Sequence, residues 1–321
     1  MRIYRNFPLS KILYYRIGGR AQLVIRIENK TDLLEALDFV KNNKIKRILP
    51  VGLGSNLLVS DKDFDGAVLW FSKGESSAIQ LIGDNLIEAF SSVLLDDLIQ
   101  FAFNKNLIGL EWAGGLPSTV GGAVRGNAGA FGGEIKDAIY KIETFELQEN
   151  GEILEKEFRN SDLEFSYRDS FIKKKKNLIV ATCFFELRPV DRQGLERAKQ
   201  VYFSHIEYRN THHPAQPSCG SVFKNIREKK EVEKIVNTWP DIKELVVNKW
   251  YNKVSTGFVI NRLGFSGLRV GGAEVSKKHA NYIVNIGGAK FDDVISIIER
   301  IRDKFSATFG FYPELEVEVV S

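Results

Sequence analysis

The sequence predicts an α+β protein of more than one folding unit, and three observations predict it. Strand-like and helix-like patterns alternate near the start, residues 140–190 read as strands joined by polar turns, and the chain closes on a strongly amphipathic helix and a short alternating strand. A length of 321 residues suggests two or three units, with boundaries near residues 71, 211 and 303. The composition, 44% hydrophobic and 27% charged, excludes a largely disordered or collagen-like chain.

Taken in order, residues 23–27 read as a strand. A helix capped at Thr31 follows, with Leu33, Leu34, Leu37 and Val40 on one face. A second strand, 47–51, runs into Gly52-Leu53-Gly54-Ser55-Asn56, a glycine turn at a strand end. Nine of the 27 glycines lie between Gly109 and Gly133. Glycine removes side-chain bulk and admits positive φ, so N–H groups there are expected to converge on a ligand's phosphates, although structural turns explain such clusters as well. The run Lys173 to Lys176 sits between apolar segments and reads as a solvated hairpin turn. Val294, Ile297, Ile298, Ile301 and Phe305 fall at helical spacing. In 315–320, Leu315, Val317 and Val319 alternate with Glu316 and Glu318, which on this pattern alone are solvated.

Several function classes drop out on composition and motif. The formal charge is only +4 and is spread along the chain, which gives nucleic-acid binding no support. Cys183 and Cys219 stand far apart without ligand spacing, which argues against a disulfide scaffold or a structural zinc and for a reducing cytoplasm. The N-terminal stretch is broken by Arg5, Lys11 and Arg16, and no membrane-length apolar run occurs, so neither export nor membrane insertion is expected. The pair Gly52 and Gly54 lacks the third dinucleotide-fingerprint glycine, the position being Leu57, and no Gly-Lys-Ser/Thr follows any glycine. Gly264-Phe265-Ser266-Gly267-Leu268 is one residue short of a nucleophile elbow. His205, His212, His213 and His279 lack metal-ligand spacing, so no metal is expected. Cys219 reads as a small buried residue rather than a nucleophile.

Further blocks stand in a fixed order: YYRIGGRAQ (14–22) with VGLGSNLLVSD (51–61), GLEWAGGLPSTVGGAVRGNAGAFGGEI (109–135), SYRDS (166–170), then CGSVFKN (219–225) with GGAEVSKKHANYIVN (271–285), and a closing LEVEV (315–319). In this order and spacing the chain resembles the UDP-N-acetylenolpyruvoylglucosamine reductase family across nearly its whole length. The resemblance implies three domains: two forming an FAD-binding fold of the flavin-linked oxidase superfamily type, and a third, α+β, that binds a UDP-sugar. The implied division is 1–70 with 303–321, then 71–210, then 211–302. Residues 168–221 are too few for the extra tyrosine-bearing loop of the longer subclass, so the chain is similar to the type lacking it.

The same resemblance implies FAD as cofactor and NADPH as co-substrate, with the FAD pyrophosphate against Gly52, Leu53, Gly54, Ser55, Asn56 and Leu57. The glycine-rich block joins them through Gly115, Leu116, Pro117 and Thr119, then Val120, Gly121, Gly122 and Ala123, and finally Asn127, Gly129 and Ala130. Arg168 matches the family's cation for the negative charge that builds on the enolpyruvyl group, Glu316 the acid that assists it, and Ser221 the proton donor. Tyr167, Lys224, Asn225 and His279 match substrate contacts, and Arg209 is placed to meet phosphate or the nicotinamide cofactor. Three positions depart from the family pattern: Ser118 for a glycine, His212 for a lysine, and Ile226 where proline is common. The implied activity is reduction of UDP-N-acetylglucosamine enolpyruvate to UDP-N-acetylmuramate for the cell wall. The rivals are another FAD-linked oxidase or dehydrogenase acting on a hydroxy acid or sugar, and a non-catalytic nucleotide-sugar binder. A covalent-flavin oxidase would require a His or Cys attachment near the glycine blocks, and histidine is absent there.

Overall fold

In a computed structural model of the chain, residues 1–74, 79–148 and 150–321 are described. They form two compact units, the first of residues 1–7, 21–53 and 64–211, the second of residues 8–20, 54–63 and 212–321.

The first unit contains a four-stranded sheet in the order Arg2–Pro8, Arg20–Ile27, Phe64–Phe71, Ile48–Val51. The last three strands are parallel, with Ile27 opposite Phe71 and Val51 opposite Trp70, so their C-terminal ends lie along one edge and Gly52 emerges there. Parallel neighbours need a crossover, and the helix Lys30–Asn42 supplies it. Its cap is Asn29 rather than Thr31: the Asn29 Oδ1 accepts the Asp32 N–H at 2.9 Å, two residues earlier than the sequence suggests. Leu33, Ala36, Leu37 and Val40 are fully buried, whereas Leu34, one helical step round from Leu33, is 40% exposed.

A five-stranded antiparallel sheet completes this unit, in the order Ile153–Arg159, Ile139–Leu147, Leu178–Glu186, Leu86–Phe90, Ile79–Leu81. Its central strand is buried on both faces, which is why Leu178 to Phe185 runs without polar alternation apart from Thr182. Both sheets share one core, in which Ile25, Leu37 and Leu69 are continuous with Ile142, Cys183 and Phe185. The lysine run is not a hairpin turn. Phe171–Lys174 is a short helix capped by the Ser170 hydroxyl, and Lys173 Nζ donates to the Arg168 carbonyl at 3.0 Å, while Lys174, Lys175 and Lys176 are exposed as the sequence suggests.

The second unit packs around the helix Phe291–Phe309, whose Val294, Ile297, Ile301 and Phe305 are fully buried. Against it lie a three-stranded antiparallel sheet, Arg269–Val270, Ala273–Val275 and Ile283–Asn285, and the helices Lys229–Thr238 and Thr256–Arg262. The final strand is shorter than its sequence pattern, Glu318–Val320, and pairs in parallel with Leu57–Val59. With a single partner strand, the alternation does not translate into two distinct faces: Val317 is 5% exposed but Val319 is 37% exposed. Among the described residues no helix is long and apolar enough to cross a membrane.

Candidate active site

In the first unit, Gly52 meets the start of the helix Val120–Arg125. A Cβ on Gly52 would lie 2.3 Å from Thr119 Oγ1, so only glycine lets the strand end approach this close. Thr119 in turn caps the helix, accepting the Gly122 N–H at 3.3 Å. Two of the sequence's glycine segments are thereby joined. The other first-turn donors are committed inside the protein, Val120 N–H to Val93 O at 2.8 Å and Gly121 N–H to Ser91 O at 3.1 Å. The expected convergence of N–H groups on phosphates therefore fails along this turn. In the turn 52–56, among the described residues, no protein carbonyl accepts the N–H of Leu53, Gly54 or Asn56.

Arg168 stands at the apex of a two-residue hairpin turn. Ser166 and Asp169 exchange both backbone hydrogen bonds, at 3.1 and 3.2 Å, and Tyr167 and Arg168 lie between them. Arg168 has φ +58°, a left-handed conformation that costs a non-glycine residue about 1–2 kcal/mol. The turn is held in place by its surroundings: the Ser170 hydroxyl donates to Arg125 O at 2.6 Å, and Asn127 Nδ2 donates to Ser166 O at 2.9 Å. Arg168 Nη2 donates to Gly129 O at 2.6 Å, and its guanidinium lies 5.1 Å from the Tyr167 ring centre. Backbone strain over-determined in this way is typical of functional positions. Asn127 is fully buried and engages its whole amide with protein, since Nδ2 also donates to Glu134 Oε2 at 3.1 Å and Oδ1 accepts the Lys136 N–H at 3.1 Å. Arg209 Nε donates to Gly114 O at 2.9 Å, and its guanidinium lies 5.2 Å from Phe131, which stacks on His205 with ring centres 4.0 Å apart.

In the second unit the segment 221–224 runs antiparallel to 314–317. Val222 O accepts the Glu316 N–H at 2.8 Å, Lys224 N–H donates to Glu314 O at 2.9 Å, and Phe223 bridges Leu315. This register sets Ser221 and Glu316 on adjacent strands and leaves Glu316 half-buried, where the alternation alone reads it as solvated. Asn56 Nδ2 donates to Glu316 O at 3.1 Å, fixing the same segment from the Gly54–Asp63 side of this unit. Among the described residues the Ser221 hydroxyl donates to no protein group.

The substrate candidates divide. Lys224 Nζ pairs with Glu314 at 2.5 Å, and Asn225 Oδ1 accepts the Thr256 N–H at 3.1 Å, so both side chains have protein partners. Ile226 stands where proline is common because its N–H donates to Val254 O at 3.0 Å, a bond proline cannot make. His279 is mostly enclosed, with the His213 ring centre 5.6 Å away and that of Tyr282 4.9 Å away.

Comparison with known proteins decides among the readings. A family model described as "UDP-N-acetylenolpyruvoylglucosamine reductase, C-terminal domain" matches residues 212–320, and one described as "FAD binding domain" matches residues 21–155. The UDP-N-acetylenolpyruvoylglucosamine reductase of Caldicellulosiruptor bescii is 33% identical over 98% of this chain and 90% of its own length. That of Carboxydothermus hydrogenoformans is 34% identical over 99% of this chain and 94% of its own. The chain belongs to the UDP-N-acetylenolpyruvoylglucosamine reductase family. The crystal structure of the reductase from Thermus caldophilus superposes with a TM-score of 0.75 at 28% identity, covering both chains in full. As a member of this family the chain is an FAD-dependent oxidoreductase, and the readings as a hydroxy-acid oxidase or a non-catalytic binder give way.

Sequence reasoning missed a residue that organises the reductase's second unit. Asn281 is 3% exposed; its Oδ1 accepts the Phe223 N–H at 3.0 Å, its Nδ2 donates to Phe223 O at 2.8 Å, and its own carbonyl accepts the Val222 N–H at 2.8 Å. It pins the strand that carries Ser221. His279 supports it in turn, because His279 Nδ1 accepts the Asn281 N–H at 3.3 Å, which requires that nitrogen to be unprotonated. Burial lowers the His279 pKa below its ordinary value of 6.5. Between the folded-state value and about 6.5 the unfolded chain therefore binds the extra proton, so folded stability falls as pH drops through that window. The unfolding midpoint is expected to decline on acidification from about pH 7 to about pH 5, and His279→Gln to flatten part of that decline. An unchanged slope in the variant counts against the assignment.

Proposed function

We propose that this chain reduces UDP-N-acetylglucosamine enolpyruvate to UDP-N-acetylmuramate with NADPH, a cytoplasmic step in peptidoglycan precursor synthesis. The observation that carries the reading is the seating of Ser221, its hydroxyl donating to no protein group among the described residues, on the strand beside Glu316. The division into 1–70 with 303–321, 71–210 and 211–302 belongs to the same proposal, the two sheets of the first unit marking its first two parts.

The residues suited to hold FAD are Gly52 to Leu57, through backbone donors, with Gly115, Leu116 and Pro117 and the segment Thr119 to Ala130 shaping the wall. When bound, FAD supplies the hydride, drawn from NADPH, that the methylene carbon of the enol ether receives. Arg168 offers a fixed positive charge to the negative charge that then develops toward the substrate carboxylate. Ser221 Oγ holds the proton that the neighbouring carbon takes up, and its backbone, fixed by Asn281 and by the 314–317 segment, keeps that proton aimed. Glu316 assists Arg168 at the same intermediate. Tyr167, Lys224, Asn225 and His279 contact the UDP-sugar, and Arg209 meets phosphate or the nicotinamide cofactor, basic groups suiting a diphosphate.

The test is NADPH consumption by the purified yellow protein with and without UDP-N-acetylglucosamine enolpyruvate. Substrate-dependent oxidation with formation of UDP-N-acetylmuramate supports the reading. A protein whose colour NADPH bleaches but whose flavin the enolpyruvyl substrate never reoxidises overturns it.

A further inference from the structure

The mechanism above leaves unassigned a half-buried acid beside Arg168. Glu134 lies in the glycine-rich block and lines the same backbone that receives Arg168. A Cβ on Gly129 would lie 2.7 Å from Glu134 Cγ and 3.2 Å from Arg168 Nη1, so the carboxylate stem and the guanidinium both crowd the space that a side chain at Gly129 would fill. The pairing of Gly129 with Glu134 across the small ladder 129–130 and 133–134 fixes that register. Glu134 Oε2 accepts from Lys136 Nζ at 2.9 Å and from the buried Asn127 Nδ2 at 3.1 Å. The same Asn127 amide donates to Ser166 O, at the base of the Arg168 turn. Burial alone raises the Glu134 pKa, but the hydrogen bonds from Lys136 and Asn127 and the charges of Lys136 and Arg168 outweigh it, holding the carboxyl below its ordinary range.

We propose that Glu134 is a positioning residue for Arg168: its carboxylate, fixed by Asn127 and Lys136, places a negative charge near the guanidinium that favours the orientation in which Nη2 bonds the Gly129 carbonyl. This rests on the role of Arg168 proposed above. A long arginine side chain has several rotamers, and confining it beforehand removes an entropic cost from the reaction itself. Glu134 touches no reacting atom; it acts through Arg168.

The test separates the two half-reactions in Glu134→Gln. Reoxidation of the reduced flavin by the enolpyruvyl substrate is expected to slow roughly tenfold to a hundredfold, with flavin reduction by NADPH within about twofold of the parent. Glu134→Asp, which keeps the charge, recovers part of the loss. In an Arg168→Lys background Glu134→Gln adds little, because coupled residues are non-additive. A cofactor-independent readout accompanies these: the Arg168 side-chain N–H resonance exchanges faster with water in Glu134→Gln. Full reoxidation rates in Glu134→Gln, or independent multiplication of the two substitutions' effects, overturn the proposal. Absence of substrate-driven reoxidation in the parent protein instead overturns the function reading, while the resonance experiment still reports on the Glu134–Arg168 link.

Discussion

Replacing Ser221 by alanine is expected to leave NADPH-driven bleaching of the flavin intact while slowing reoxidation by the enolpyruvyl substrate about 10²–10⁴-fold, the contribution of a positioned proton donor. The physical basis is that Ser221 owes its place to its neighbours' backbone rather than to its own hydroxyl. Val222 is tied on one side to Asn281 and on the other to Glu316, while Gly220, at φ +74°, turns the chain into the strand. Loss of one oxygen therefore removes the proton without moving the segment. Rapid-mixing absorbance separates the two half-reactions, and an unaltered second phase removes Ser221 from the proposed role.

The second large effect is at Arg168. Arg168→Ala is expected to lower turnover with the enolpyruvyl substrate about 10²–10³-fold, equivalent to about 2.7–4 kcal/mol of lost electrostatic stabilisation. Arg168→Gly is expected to lose as much activity but to be more stable than Arg168→Ala by about 1 kcal/mol, since glycine alone adopts the φ of +58° without penalty. Steady-state rates and denaturant midpoints measured on both variants check the pair of effects. Equal stabilities would show that the turn relaxes in the variants, and near-parental activity would show that the cation is dispensable.

How much was legible follows from the range of the interactions concerned. The helix Phe291–Phe309 was readable because its apolar positions repeat every turn, and the strands feeding Gly52 were readable from their apolar runs. The Asn29 cap was not, because Thr31, two positions on, is also an accepted capping residue and local sequence does not say which of the two starts the helix. Glu316 looked solvated because its neighbouring strand, 221–224, lies far away in sequence and leaves no trace in the local alternation. The roles of Arg168, Ser221 and Glu316 came from a resemblance spread over the chain, not from periodicity. Asn281 and Glu134 had no local signal: their partners, Phe223 and Gly129, meet them only through the fold. The glycine-rich block was recognised as special, but several of its glycines serve close backbone packing where phosphate donors were expected.

The parallel pairing of Glu318–Val320 with Leu57–Val59 has a consequence for how the enzyme is made. The two strands are about 260 positions apart, and closing so long a loop costs on the order of 5 kcal/mol of chain entropy before any contact returns it. During synthesis, residues 57–59 emerge early and must wait, with their partner strand missing, until residues 318–320 have left the ribosome. Ser221 likewise lacks its carboxylate neighbour until then, so a nascent chain passes through a long interval in which it is partly folded and catalytically silent.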